Sequence, residues 1–181
     1  VCSSDLIKEM SSMKKSVKLM TAAAFVLSIL LSTGNVMATE GVKGSAAALA
    51  DESYTLEEML TYAIQDEYAA QAEYAEIISV YGSVKPYRSI VKAEEKHISA
   101  LVSLFEDSGL MVPVNDAAAD VVLPDSLKAS YPVAVNAEIM NIDMYQRFLD
   151  EELPENVRNV FQSLMKASEN HLAAFERAAS R

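Results

Sequence analysis

The clearest structural signal in the chain is the stretch TLEEMLTYAIQDEYAAQAEYAEIISVYG, which covers residues 55–82. Thr55 followed three residues later by Glu58 forms a capping box, a pattern that begins helices, and Gly82 is a residue type that ends them. The pattern therefore predicts one helix over residues 56–81. Its inward-facing positions recur at alternating steps of four and three residues, which is the spacing of a left-handed helical bundle. These positions are Leu56, Leu60, Ala63, Glu67, Ala70, Tyr74, Ile77 and Tyr81.

A second helix and a long connection follow this stretch. The second predicted helix has Ser83 as its N-cap and Pro86 in its first turn, and it ends at Gly109. The turn between the first two helices is so short that they must be antiparallel. Residues 110–125 contain two prolines and no sustained period, so they are predicted to form a long connection across the bundle.

The rest of the chain predicts a second pair of helices. A third helix is predicted over 127–151, with Ser130 or Tyr131 as alternative starts because Pro132 suits a first turn. The fourth begins at Pro154 after another short turn. No alternating run of β-branched residues indicates a strand. Two antiparallel helical hairpins joined by one long crossover predict an all-α protein, with the arrangement of a ferritin-like four-helix bundle.

Every predicted inward stripe carries polar residues near its middle. In chain order these are Glu67, Glu94, His97, Glu138, Ser168 and His171. The chain has only two histidines, and both fall at matched positions of this set. Tyr74 and Tyr145 each follow the glutamate of their helix by seven residues, which indicates a duplicated hairpin.

These polar positions predict a metal centre. A buried carboxylate costs several kcal/mol unless a cation or hydrogen-bond donors compensate it. Di-iron and di-manganese bundles take one Glu from each of two helices and a Glu-x-x-His pair, whose members face the same way, from the other two. Oxygen and imidazole donors without thiolate favour iron, in a di-iron or mononuclear site, or alternatively manganese. The predicted ligands are Glu67, Glu94, His97, Glu138 and His171.

Ser168 departs from this ligand pattern, because a bridging Glu would be expected in its place. A water or hydroxide bridge would fill the gap, or the first helical hairpin alone would hold metal. Without metal, each histidine would simply bond a neighbouring glutamate in the core. Tyr74 and Tyr145 are expected to be core aromatics whose hydroxyls bond a nearby carboxylate, with a redox role as the alternative.

Four motifs carry a resemblance to a known family. They are QDEYAAQAEY (65–74), KAEEKHISAL (92–101), NAEIMNIDMY (136–145) and ASENHLAAF (167–175). Over about residues 54–177 the chain resembles an uncharacterised ferritin-like family, domain of unknown function 2202 (DUF2202). Its Glu and Glu-x-x-His pairs are more distantly similar to rubrerythrin and erythrin-type di-iron proteins. The resemblance implies the fold and a metal site, and the closer family has no established activity to carry over.

Charge and cysteine content exclude several classes of function. Fifteen Lys and Arg against 26 Asp and Glu give a net charge of −11, which disfavours nucleic acid and anionic membranes as partners. The single Cys2 lies upstream of the predicted cleavage point, so the mature protein has no disulfide, Cys-ligated zinc, Cys nucleophile or rubredoxin-like Cys pairs. Electrons for any redox reaction would have to come from an external donor or from free ferrous iron.

The start of the chain predicts export. A basic segment from Met13 precedes an apolar run of about 13 residues, shorter than the ~20 that span a bilayer, and Val36-Met37-Ala38 suits signal peptidase. We therefore expect cleavage after Ala38, a periplasmic or extracellular location and no membrane span thereafter. The predicted division is a signal peptide over 1–38 with a non-native or miscalled start over 1–12, a flexible linker over 39–53 and the ferritin-like domain over 54–181.

Three functions compete on the sequence alone. The first is an exported di-metal oxidoreductase that reacts with dioxygen or peroxide, of ferroxidase or peroxidase type. The second is a metal-binding protein without turnover, and the third is a metal-free interaction module of the cell envelope. The expected partners are metal ions and an external electron donor, and a homodimer is left open.

Overall fold

The structure is a computed structural model and describes residues 41–181, which are mostly helical. The helices are α1 Gly44–Ala50, α2 Leu56–Tyr81, α3 Tyr87–Asp107, α4 Leu127–Asp150 and α5 Glu155–Ala179, with a 3-10 turn at Ala117–Ala119. Residues 41–181 contain no strand, so the predicted all-α class is confirmed. The predicted signal peptide and its cleavage site lie outside the described residues.

Helix α2 has the bounds that its capping box predicts. The Glu58 backbone N–H donates to Thr55 Oγ1 over 3.2 Å, and the Thr55 backbone N–H donates to Glu58 Oε2 over 2.7 Å. These two bonds satisfy N–H groups that have no partner inside a helix. At the other end Gly82 has a φ of 90°, a conformation that glycine adopts readily.

Helix α3 begins later than the predicted Ser83. Pro86 is its N-cap, and no side chain caps the helix. The ring of a proline disfavours helical geometry in the preceding residue, which favours a start after Pro86 over a start before Lys85. The long connection that follows contains only the short 3-10 turn, as its lack of a period predicts.

Helix α4 begins at the earliest of its predicted starts. The Ser126 side chain accepts a hydrogen bond from the Ala129 backbone N–H over 3.2 Å, and this cap fixes the start at Leu127. The alternative starts at Ser130 and Tyr131 are therefore wrong. Pro132 lies inside the helix instead of in its first turn. Helix α5 begins directly after Pro154, as predicted.

The prediction of a flexible linker over 39–53 is wrong for residues 44–50, which form α1 and pack against α2 and α4. A seven-residue helix is marginal alone, so tertiary contacts must hold it. Asp66 Oδ1 accepts from the Ser45 backbone N–H over 2.7 Å, and a Cβ added to Gly44 would lie 2.7 Å from that oxygen. The small residues that suggested flexibility are thus the ones that permit close approach to α2.

The long helices pack as two consecutive pairs, α2 with α3 and α4 with α5, with further contacts between α2 and α4 and between α3 and α5. Two apolar clusters fill the interior. One contains Leu60, Leu101, Phe148 and Phe161, and the other contains Ile77, Tyr87, Ala134 and Phe175. Along each helix the polar positions lie between these two clusters. Among residues 41–181 no helix combines the length and apolar character that crossing a membrane requires.

Candidate metal centre

The structure brings the five predicted ligands together in one polar layer inside the bundle. They form two groups, and within each group the candidate donor atoms lie within 4.8 Å of one another. The first group is Glu67, Glu94 and His97, and the second is Glu94, Glu138 and His171. Glu94 belongs to both groups, so its two carboxylate oxygens link two adjacent positions where an ion could bind.

The first group joins α2 to α3. His97 Nδ1 lies 3.0 Å from Glu67 Oε2 and 2.7 Å from Glu94 Oε2. Glu94 and His97 are three residues apart on one helix, so their side chains point to the same place. Glu67 and Glu94 are buried, and the His97 side chain is 12% exposed.

The second group joins α3 to α4 and α5. His171 Nδ1 lies 3.3 Å from Glu94 Oε1 and 3.6 Å from Glu138 Oε1. The rings of His97 and His171 face one another with centroids 5.7 Å apart and planes inclined by 22°. The two imidazoles thus approach the shared Glu94 carboxylate from α3 and from α5.

Two tyrosines cross the layer in opposite directions. Tyr74 on α2 donates to Glu138 Oε1 on α4, and Tyr145 on α4 donates to Glu67 Oε1 on α2, each over 2.9 Å. Burial, reinforced by the neighbouring carboxylates, raises the pKa of both hydroxyls well above their usual range. Both tyrosines therefore remain donors, and their reciprocal arrangement matches the predicted hairpin duplication.

Ser168 lies in the same layer but belongs to neither group. Its hydroxyl donates to Asn141 Oδ1 over 2.6 Å, with Leu164 O also in range at 3.2 Å. Asn141 in turn donates to Asp66 Oδ2 over 2.5 Å. The position expected to carry a fourth carboxylate therefore carries a hydroxyl that is bonded to the Asn141 amide, which is bonded in turn to Asp66.

The buried charges of the first group are balanced by protons. Burial raises the pKa of Glu94 to about 9. Burial opposes the charge on His97, but hydrogen bonds to Glu67 and Glu94 outweigh it and raise the pKa of His97 to about 10. Burial also opposes the charge on Glu67, yet its bonds to His97, Glu94 and Tyr145 lower the pKa of that carboxyl. Near neutral pH the group therefore holds a Glu67 carboxylate paired with a His97 imidazolium, beside a protonated Glu94.

A cavity of about 70 Å³ adjoins the carboxylates from the side of α2 and α4. Glu67, Glu94 and Glu138 contribute to its wall, together with alanines of both helices. A water molecule occupies roughly 30 Å³ of liquid, so the space admits a few waters or a molecule of two to four atoms.

Two polar residues of the layer, Asn141 and Asp66, were not among the predicted site residues. Asn141 follows Glu138 by three residues, the spacing of Glu94 and His97, and this spacing was a usable signal. Asp66 has no such signal, because its partners Asn141 and the Ser45 backbone come from distant segments.

Comparisons with known proteins bear on the fold alone. No protein-family model matches the chain, and no curated protein matches its sequence. The structure is similar to the crystal structure of a hypothetical protein from Methanococcus jannaschii DSM 2661, with a TM-score of 0.63 and 20% sequence identity. The match covers 72% of this chain and 83% of that one. At 20% identity this similarity is one of fold.

Proposed function

We propose that this protein binds iron, or alternatively manganese, in the polar layer of a ferritin-like four-helix bundle, and that the bound metal reacts with dioxygen or peroxide. The observation that supports it most is the position of Glu94, a buried carboxylate within reach of donors from both groups. Three buried glutamates and two histidines form a hard oxygen and nitrogen donor set, which suits these metals.

Each group would hold one ion. Glu67, Glu94 and His97 would bind the first, and Glu94, Glu138 and His171 would bind the second. The metal would supply one-electron redox chemistry, which the carboxylates and imidazoles that would hold it lack.

The surrounding residues have separate tasks in this proposal. Tyr145 and Tyr74 fix the orientation of the two outer carboxylates through their hydroxyl hydrogens. His97 and Glu94 hold protons that leave when an ion binds. The cavity of about 70 Å³ beside the carboxylates has room for a co-substrate of a few atoms, such as dioxygen or peroxide.

Ser168 favours a second candidate, a metal-binding protein without turnover. Its hydroxyl is neutral and already bonded to Asn141, so it supplies no bridging carboxylate for an oxidised pair of ions. Turnover measurements with hydrogen peroxide and an artificial electron donor separate the two candidates, because only the oxidoreductase consumes peroxide catalytically.

The ferritin-like arrangement, the relation to DUF2202 and export are parts of the same proposal. The two packed helix pairs and the connection between α3 and α4 support the arrangement. The four helix motifs support the family, and the basic and apolar leader supports export.

Elemental analysis tests the proposal most directly. The protein is purified without added metal and without a metal-binding affinity tag, and its melting temperature is measured before and after Fe(II) is added anaerobically. We expect iron or manganese in the isolated protein and a higher melting temperature with Fe(II), since an ion at 100 times its Kd stabilises by about 2.7 kcal/mol. Two results together overturn the proposal. The isolated protein contains no metal, and Fe(II) does not change the melting temperature of the parent, His97→Ala or His171→Ala.

A further inference from the structure

Two clefts on opposite sides of the bundle lead toward the polar layer. The first has a volume of about 380 Å³ and shares Asp66, Ala69 and Glu73 with the small cavity beside the carboxylates. The second, of about 350 Å³, is bounded by α3 and α5 and reaches His97. An ion approaching from solvent therefore has two possible routes.

The two clefts differ in charge. Four carboxylates and one lysine line the first, namely Asp66, Glu73, Asp116, Asp120 and Lys43. The described residues that line the second include Lys96 and no carboxylate. A cleft lined by negative charge concentrates cations and raises their association rate. The electrostatic difference favours the first cleft for a metal ion.

Glu73 occupies a particular place in that cleft. It lies at the junction, where it lines both the outer cleft and the inner cavity. Its Oε1 is buried and, alone among the buried side-chain nitrogen and oxygen atoms of residues 41–181, has no hydrogen-bond partner. The Glu73 side chain is only partly buried, and because no protein group engages this oxygen, the carboxylate can bind a cation that passes between the cleft and the cavity.

We propose that a divalent cation reaches the metal centre through this acidic cleft and that the Glu73 carboxylate binds it on the way. The outer carboxylates of Asp116 and Asp120 draw the ion in, although each now pairs with Lys43 over 2.9 and 3.1 Å respectively. The ion then passes Ala69 and Glu73 to the cavity whose wall includes Glu67, Glu94 and Glu138. This inference rests on the proposed function, because it supplies the route to the proposed centre.

The route is tested by the rate of metal uptake in the full chain. Metal-free protein is mixed with Co²⁺ in a stopped-flow instrument, and the d–d absorption of the bound ion gives the rate and the final stoichiometry. Glu73→Gln removes the carboxylate, and Ala69→Leu narrows the junction at an exposed helix position. We expect each change to slow uptake about tenfold while the final stoichiometry stays that of the parent.

Two matched variants serve as controls. Glu76→Gln removes the same charge from an exposed position of α2 outside both cavities of this route, and Ala100→Leu adds the same bulk to the opposite cleft. Both should load at the rate of the parent. The acidic route is overturned if Glu73→Gln and Ala69→Leu take up Co²⁺ at the rate of the parent, or if Ala100→Leu alone is slowed. Metal binding itself would stand in either case. Absence of Co²⁺ uptake by the parent instead overturns the proposed function.

Discussion

Ser168 on α5 donates its hydroxyl hydrogen to Asn141 Oδ1 on α4 over 2.6 Å. The bond fixes the serine within the polar layer by a neutral contact to the neighbouring helix. A longer acidic side chain at this position would place a carboxylate beside the Asn141 carbonyl and toward His171, one helical turn along α5. The identity of residue 168 therefore sets how much negative charge the layer holds.

Ser168→Glu should create a fuller metal site at a cost in metal-free stability. The added carboxylate is an uncompensated buried charge without metal and costs several kcal/mol, so the metal-free variant should melt earlier than the parent. With Fe(II) the added carboxylate should hold the ions more tightly, so the iron retained after desalting, measured by elemental analysis, should be closer to two ions per chain than in the parent. Earlier melting with no more retained iron than in the parent would show that a carboxylate at position 168 does not reach the ions.

Glu94→Gln should remove metal binding while leaving the fold intact. Glu94 is protonated near neutral pH because burial raises its pKa to about 9, so the neutral amide closely matches its metal-free state. Its loss affects both ligand groups, and metal occupancy should fall by more than half. Glu95→Gln makes the same change at an exposed neighbour and should retain full occupancy. Equal occupancy in the two variants would show that Glu94 is not a ligand.

The metal-free protein should lose stability as pH rises. Folding raises the pKa of His97 from 6.5 to about 10 and that of Glu94 from 4.5 to about 9. A group whose pKa is raised by folding stabilises the folded protein fully when the pH is below its unfolded-state pKa. This stabilisation is lost as the pH rises through its folded-state pKa. The pKa of Glu67 is lowered, so the stabilisation from this group is lost only as the pH falls below the usual pKa range of a glutamate. Melting temperatures should thus peak near about pH 5 and decline toward about pH 9.

Glu94→Gln provides the check on this pH dependence. Because it removes Glu94, whose raised pKa contributes to the decline, its melting temperature should decline less steeply than that of the parent. A metal-free melting temperature that stays constant or rises between about pH 6 and pH 9 would contradict the assigned protonation states.

Binding of the first ion should release protons. Near pH 7 both His97 and Glu94 carry a proton, and each must lose it to donate to a metal. We expect release of about two protons per ion, measured by calorimetry in two buffers of different ionisation enthalpy. Glu94→Gln, where binding is still measurable at high ion concentration, should release one fewer. No dependence on the buffer would mean that neither group is a ligand.

Removing either crossing hydroxyl should weaken metal binding to a similar degree. Tyr74→Phe and Tyr145→Phe each remove the tyrosine donor that orients a buried ligand carboxylate, so affinity should fall by about 10- to 100-fold in equilibrium titrations. Tyr87→Phe is the matched control, because Tyr87 is equally buried but donates to Ser130. A loss in Tyr87→Phe as large as in the other two would show that the effect is general destabilisation.

The sequence by itself determined the four long helices and the polar positions of the bundle. The capping box at Thr55 and Glu58 acts within four residues, so its pattern gave the start of α2 correctly. The inward positions of Glu67 and Glu138 follow from helical periodicity, which is also local. The start of α3 could have been placed correctly by the restriction that Pro86 imposes on its neighbour.

Only the tertiary structure decided the contacts between segments. Three features depend on residues that are distant in sequence. They are the packing of α1, the bonds of Asp66 to α1 and to Asn141, and the position of Glu94 between the two histidines. The composition of residues 44–50 fits a flexible tether equally well, because small residues suit both a mobile chain and a close contact. Local patterns fix which face a side chain occupies, but the distances between faces arise when the helices pack, and those distances decide where two side chains meet.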